Sequence, residues 1–198
     1  MHLTVRRLVS LAVVGVVALG ACSAPSSGSP AAGQSVTPGA PEVNPAGDIP
    51  DNQVFIVYAD PSGAFSLKVP EGWASADAGG AVTFTDKLNA IRIESSSTPT
   101  PPTSASMTAE LPAISSSTPG YVAGTVTDVT RSAGAGILAT YEGDAAADPV
   151  TGKVVHDAFE RYEFWHAGRL VVLTLSGPVG ADNVDPWKIV SDSLTWSA

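Results

Sequence analysis

The chain has 198 residues, with 10 basic and 19 acidic side chains and a formal net charge of −9. That balance argues against nucleic acid, and against electrostatic adhesion to anionic lipid. A single cysteine excludes any internal disulfide.

Residues 1–21 have the three parts of a secretion signal. Arg6 and Arg7 are its positive end, and Leu8 to Leu19 is an apolar run of 12 residues. Such a run suits a signal core of about 7–15 residues and falls short of the ~20 that span a bilayer. Leu19-Gly20-Ala21-Cys22 follows and resembles the bacterial lipobox. The resemblance implies a diacylglyceryl thioether on Cys22, cleavage before it, and a chain anchored by acyl groups to the outer face of the cell membrane. Two or more acyl chains on one residue hold a protein durably, whereas one is marginal. The alternatives are an uncut signal anchor, or an ordinary signal followed by an incidental cysteine. Losing Arg6 and Arg7 with the signal leaves eight basic residues against nineteen acidic, a mature charge of −11.

After Cys22 the chain to residue 50 is almost entirely Ala, Gly, Pro, Ser and Thr, so 22–50 reads as lipidated cysteine plus disordered linker. A flexible tether of that length has an r.m.s. span of roughly 30 Å. Residues 51–198 are then one domain, long enough for a core of its own.

Val54 to Tyr58 is a short apolar run, and Asp60 to Gly63 is a turn by composition. Phe65, Leu67 and Val69 alternate with polar residues as a half-buried strand, closed by Pro70-Glu71-Gly72-Trp73. Gly79-Gly80 precedes a second alternation at Val82 and Phe84. A turn over Asp86 to Asn89 leads to Ile91 and Ile93, which predicts a hairpin. Residues 97–104 read as loop. Ser106 to Ser117 predicts a short helix with Met107, Leu111 and Ile114 on one face, limited by Pro112. Tyr121 to Arg131 resumes strand composition. Gly134-Ala135-Gly136 reads as a hairpin turn before Ile137, Ala139 and Tyr141.

Gly143 to Lys153 is a polar loop. His156 to His166 follows, rich in aromatics, with a turn at Ala167-Gly168. Leu170 to Leu175 is nearly continuously apolar, which predicts a central strand covered on both faces. At the end, Asp185 as N-cap, Pro186 at the first helical position, and Trp187, Val190 and Leu194 on one face predict a helix. The fold class is therefore α+β, a mainly antiparallel sheet of about six or seven strands flanked by helices.

Phe65-Ser66-Leu67-Lys68-Val69-Pro70-Glu71-Gly72-Trp73 is similar to the opening strand of the PsbP-like superfamily, which includes the LpqN-type actinobacterial lipoproteins. Members commonly end in a hairpin and a helix carrying a Ser-hydrophobic pair, as Ser193-Leu194 stands here. The resemblance covers residues 53–196 in element order. It implies an α/β/α sandwich and a non-enzymatic binding or assembly role, and it brings no functional residue onto a position of this chain.

His156, Glu160 and His166 share a parity on one predicted strand. Ten residues at ~3.3 Å each separate the histidines too far for one ion, so no metal is expected. Asp144, Asp148 and Thr151 do not have the spacing of a calcium loop, and no glycine-flanked serine nucleophile or phosphate loop is present. Trp73, Phe159, Tyr162, Trp165 and Trp187 read first as core; if Tyr162 or Trp165 is exposed, it marks a partner-binding surface. The expectation is a non-catalytic, cofactor-free lipoprotein that binds another envelope protein. The alternative is a small-molecule or lipid carrier with an apolar cavity, and an enzyme of unrecognised type is the third reading.

Overall fold

The structure is a computed structural model describing residues 45–197 other than Pro149. The signal, the lipobox with Cys22, and the linker to residue 44 lie outside the described residues. Among the described residues, no helix is long and apolar enough to cross a membrane.

The elements in chain order are β1 (Phe55–Ala59), β2 (Phe65–Pro70), β3 (Ala74–Ala78), β4 (Ala81–Asp86), β5 (Asn89–Ser97), α1 (Ser104–Ser117), β6 (Val122–Arg131), β7 (Gly134–Asp144), β8 (His156–His166), β9 (Arg169–Pro178), α2 (Val184–Asp192) and β10 (Thr195–Trp196). Seven strands form one antiparallel sheet in the order β3-β4-β5-β9-β8-β7-β6, and three form another, β1-β2-β10. This is the α+β class expected, with the strands divided between two sheets.

The apolar run of β9 stands at the centre of the large sheet. Val171, Leu173 and Leu175 point to one face, here called inner, where the small sheet and α2 pack. Phe65, Leu67 and Val69 of β2 meet Phe84, Ile91, Phe164 and Leu173 there, with Val190 of α2 and Leu194 beyond it. Trp73 packs against the rim of this core and Trp187 lies within it. On the outer face α1 lies over the β6–β7 end, where Met107 sits against Ile137 and Ala139, and reaches Arg161 of β8 through Glu110.

Turn chemistry fixes the hairpins. Gly79 and Gly80 both have positive φ, 61° and 81°, as a two-residue turn between antiparallel strands requires. The strand before it, β3, was not expected: Ala-Ser-Ala-Asp-Ala has little strand preference, and all five residues are exposed. It exists because β4 offers an edge and the glycine turn sends the chain back along it. The β6–β7 turn falls on Ser132-Ala133, so Gly134 to Gly136 begin a strand.

Three boundaries differ from expectation. α1 starts at Ser104, because Thr103 accepts from the Ser106 amide at 3.0 Å while Ser106 Oγ accepts from the Thr103 amide at 2.8 Å. It also runs through Pro112. α2 starts at Val184, which makes Asn183 the N-cap residue and moves Asp185 and Pro186 inside the first turn. Finally, the folded unit begins before residue 51. Ile49 is buried in the inner core, and Asn183 binds the Ile49 amide at 2.8 Å. Asn89 and Asn183 both donate to the Gly47 carbonyl at 2.9 Å. Gly47 has φ 100° and faces the Pro178 ring so closely that a Cβ would stand 2.5 Å from it. Two asparagines thus draw residues 47–49, assigned to the linker on composition, into the domain.

Candidate ligand recess on the outer face of the sheet

The outer face carries the chemistry, and β8 supplies most of it. Its odd positions, Asp157, Phe159, Arg161, Glu163 and Trp165, face outward, as pairing with Ser176, Thr174, Val172 and Leu170 of β9 requires. Among the described residues, three buried side-chain atoms have no hydrogen-bond partner: Asp157 Oδ1, Arg161 Nε and Glu163 Oε1. All belong to this one row. Such orphans are uncommon in folded proteins, so each calls for a reason.

Glu163 lies beneath α1 at 2% exposure. Arg161 approaches Glu110 of α1 at 3.2 Å, Glu163 at 3.5 Å and Glu94 of β5 at 3.9 Å. The second distance is an ion pair without a hydrogen bond. Burial, and next the Glu110 charge, push the Glu163 carboxyl up to about 7 against the pull of Arg161. Glu94 has a second guanidinium, Arg92, at 2.9 Å, whereas Glu110 and Glu163 share Arg161, which leaves the more buried of the two undersupplied.

Asp157, at 3% exposure, lies on the floor of an open recess of about 520 Å³. Phe159, Ala90, Leu88 and Val155 contribute apolar walls, Ser176 and Asn89 polar ones, and Ser117 and Thr118 bring in the end of α1. Lys87 and Lys153 also line it, and among the described residues neither ammonium has a carboxylate at ion-pair distance. Burial pushes the Asp157 carboxyl up to about 6, although the charge of His156 opposes the shift. The other two acids of the recess are engaged. Asp144 holds His156 Nδ1 at 2.8 Å, and Asp148 Oδ1 accepts from the Val150 and Thr151 amides and the Thr151 hydroxyl at 2.7–3.0 Å. Both contacts raise or lower the groups as expected: His156 upward through Asp144, Asp148 downward through its amide donors.

The residues singled out in the sequence are distributed differently. Asp144, Asp148 and Thr151 do not converge on an ion, and among the described residues no cluster of three metal-ligating side chains occurs. His156 and His166 lie at opposite ends of β8, with His166 stacked on Trp196 at 5.5 Å. Glu160 accepts from the Tyr162 hydroxyl at 2.7 Å. Tyr162 is buried at 2% exposure, so it forms no partner surface: its ring packs on Phe164 and under Arg131, inside the inner core. Trp165 is half-buried, donates from Nε1 to Thr98 O at 2.9 Å, and lines an open groove with Pro101, Pro102 and His166. Phe159 stacks on Tyr141 with centroids 4.7 Å apart.

Asp157, Arg161 and Glu163 escaped sequence reading, although β8 carried the signal. Its aromatics fall on both parities, Phe159 and Trp165 against Tyr162 and Phe164, which means both faces are covered. The outward acids Asp157 and Glu163 are buried accordingly, while the inward Glu160 stays half-buried.

No family model matches the chain, and no curated protein matches it either. Solved structures do. The solution structure of the cyanobacterial PsbP protein CyanoP from Synechocystis superposes with a TM-score of 0.51 at 16% identity, over 78% of this chain and 100% of that one. The fold is PsbP-like. LpqN of Mycobacterium tuberculosis, described as involved in cell envelope biogenesis, gives a TM-score of 0.41 at 14% identity over 75% of this chain and 93% of its own. A protein from Bacteroides thetaiotaomicron gives 0.49 at 14% identity over 72% of this chain, which spans only 48% of that protein's length. Within the PsbP-like frame, the recess is framed by the β4–β5 turn, the β7–β8 loop and the end of α1.

Proposed function

We propose that this chain is an extracytoplasmic lipoprotein, held to the cell membrane through Cys22, that acts as a non-catalytic binding module for another envelope protein and engages it at the Asp157 recess. The observation that carries the reading is the buried carboxylate oxygen left without a partner in a recess open to solvent. Desolvating an acceptor without a donor costs about 1–3 kcal/mol. A ligand that supplies the donor recovers that cost. The apolar-cavity form of the carrier reading fits less well. The space between the two sheets is filled by Phe65, Leu67, Phe164, Leu173 and Leu175, whereas the recess combines apolar walls with an acid at its floor and lysines in its lining.

A photo-reactive amino acid at Leu88, in the full chain within its own membrane, tests the site. The expected result is a discrete crosslinked protein that is absent when the same group stands at Ser132 in the distant β6–β7 turn. No adduct from position 88, or identical adducts from both positions, would remove the recess as the binding site. The anchor has its own test: Cys22→Ala should leave the domain folded and release it from the membrane fraction. Retention of that variant after a salt wash would rule out lipid anchoring.

A further inference from the structure

Resting on the reading of the recess as a binding site, we infer that its ligand presents a primary ammonium to Asp157 and, a few bonds away, an anionic group to Lys87 and Lys153. The argument is one of charge by depth. At the floor stands a carboxylate, 97% shielded from solvent, with one oxygen unpartnered. The other two acids each have one oxygen engaged, Asp144 Oδ1 with His156 and Asp148 Oδ1 with its own loop, and both are far less shielded than Asp157. The end of α1 borders the recess and its last turn has no basic residue. Two lysines with no carboxylate partner among the described residues line the same recess.

A bare cation would satisfy the acid but meet the lysines, and a bare anion the reverse. A dipolar ligand satisfies both ends. The volume of about 520 Å³ suits a small molecule or a single long side chain. Ala90, Leu88, Val155 and Phe159 offer apolar contact to methylene groups between the charges. The same chemistry can come from a free ω-amino acid or from a lysine side chain of the partner protein with an acid beside it.

The full chain, titrated by NMR on the amides of Asp157, Phe159 and Ser176, decides the matter. The probes are 6-aminohexanoate, butylamine, hexanoate and the dipeptide acetyl-Lys-Glu-amide. 6-Aminohexanoate or the dipeptide should shift these amides at millimolar concentration, butylamine should bind more weakly, and hexanoate should not bind. Asp157→Asn, which keeps the shape of the side chain, should weaken the ammonium probes by about tenfold or more, the worth of one charged hydrogen bond. Lys87→Ala combined with Lys153→Ala should weaken 6-aminohexanoate and leave butylamine unchanged. A tighter dissociation constant for the dipeptide assigns the ligand to a partner's lysine, and a tighter one for 6-aminohexanoate assigns it to a free molecule. Equal binding of hexanoate, undiminished binding by Asp157→Asn, or silence of the recess amides toward every amine overturns the inference. A crosslink from Leu88 would still stand in that case, so the two failures are distinguishable.

Discussion

The two faces of β8 are built from alternate residues of one strand, yet they treat polar groups in opposite ways. Inward, Tyr162 is buried and its hydroxyl is served by Glu160 at 2.7 Å and Arg131 at 3.4 Å. Arg131 in turn reaches Ser191 and Asp192 on α2, each at 3.3 Å. Outward, Asp157 and Glu163 are as deeply buried and, among the described residues, each has a carboxylate oxygen with no hydrogen-bond partner. The inner face is covered over its middle by a second sheet and a helix, with a smaller open recess of about 210 Å³ where Ala158 and Glu160 approach Trp187. The outer face is covered in part, by one helix at one end. Incomplete cover leaves room for a ligand beside Asp157, whereas Glu163 is undersupplied beneath the helix itself.

The largest effect that sharpens this contrast is expected from Phe164→Ala. The ring lies fully buried over Gly136, where a Cβ would stand 2.7 Å from it. Its loss should cost about 3–5 kcal/mol in urea denaturation. Phe159→Ala, on the outer side of the same strand and half-buried, should cost clearly less; equal costs would erase the distinction between the faces.

Next comes pH. Glu163 is raised from 4.5 to about 7 and Asp157 from 3.8 to about 6, so between those values the folded chain holds more protons than the unfolded one. Stability contributed by these groups is therefore full at low pH and falls as pH rises from about 4 through 7. Glu163 and Asp157 both contribute to that fall, each across its own window. Around Glu163 stand Glu110 of α1, Arg161 of β8 and Glu94 of β5. Around Asp157 stand His156, Asp144, Asp148, Lys87 and Lys153. Denaturation midpoints at about pH 5 and about pH 8 should differ in the wild type and differ less in Glu163→Gln, where Asp157 and His156 still titrate. A wild type more stable at the higher pH would contradict the assignment.

The smallest effect is expected at the N-terminal clamp. Asn183→Ala removes the acceptor of the Ile49 amide and one donor to Gly47, at a cost of about 1–3 kcal/mol. Amide exchange at Ile49 should accelerate well beyond that of β9. Unchanged protection would mean that burial of Ile49 alone holds the segment.

The sequence was most legible where periodicity and burial agree. Leu170 to Leu175 reads as a central strand and is one. The alternation of Phe65, Leu67 and Val69 gave both the strand and its buried side, and the helix at the end lay where Trp187 and Val190 place it. β3 could not be read, because an exposed Ala-Ser-Ala-Asp-Ala becomes a strand only through the neighbour that pairs with it. The Gly47–Ile49 segment looks like linker because what holds it is two asparagines 42 and 136 residues from Gly47. The recess is equally non-local. It takes Asp157 from β8, Lys87 from a turn and Ser117 from α1, and no spacing along the chain announces that meeting.

α1 is fastened to the sheet by one fully buried side chain, Met107, and its Pro112 has no amide to donate to the turn before it. A helix held this lightly opens at a fraction of the global unfolding cost. Its amides should exchange in a sub-global event that leaves the inner sandwich closed. Each such opening hydrates Arg161 and Glu163 and carries Ser117 and Thr118 away from the recess. The helix thus links the breathing of the charged cluster to the accessibility of the recess beside it.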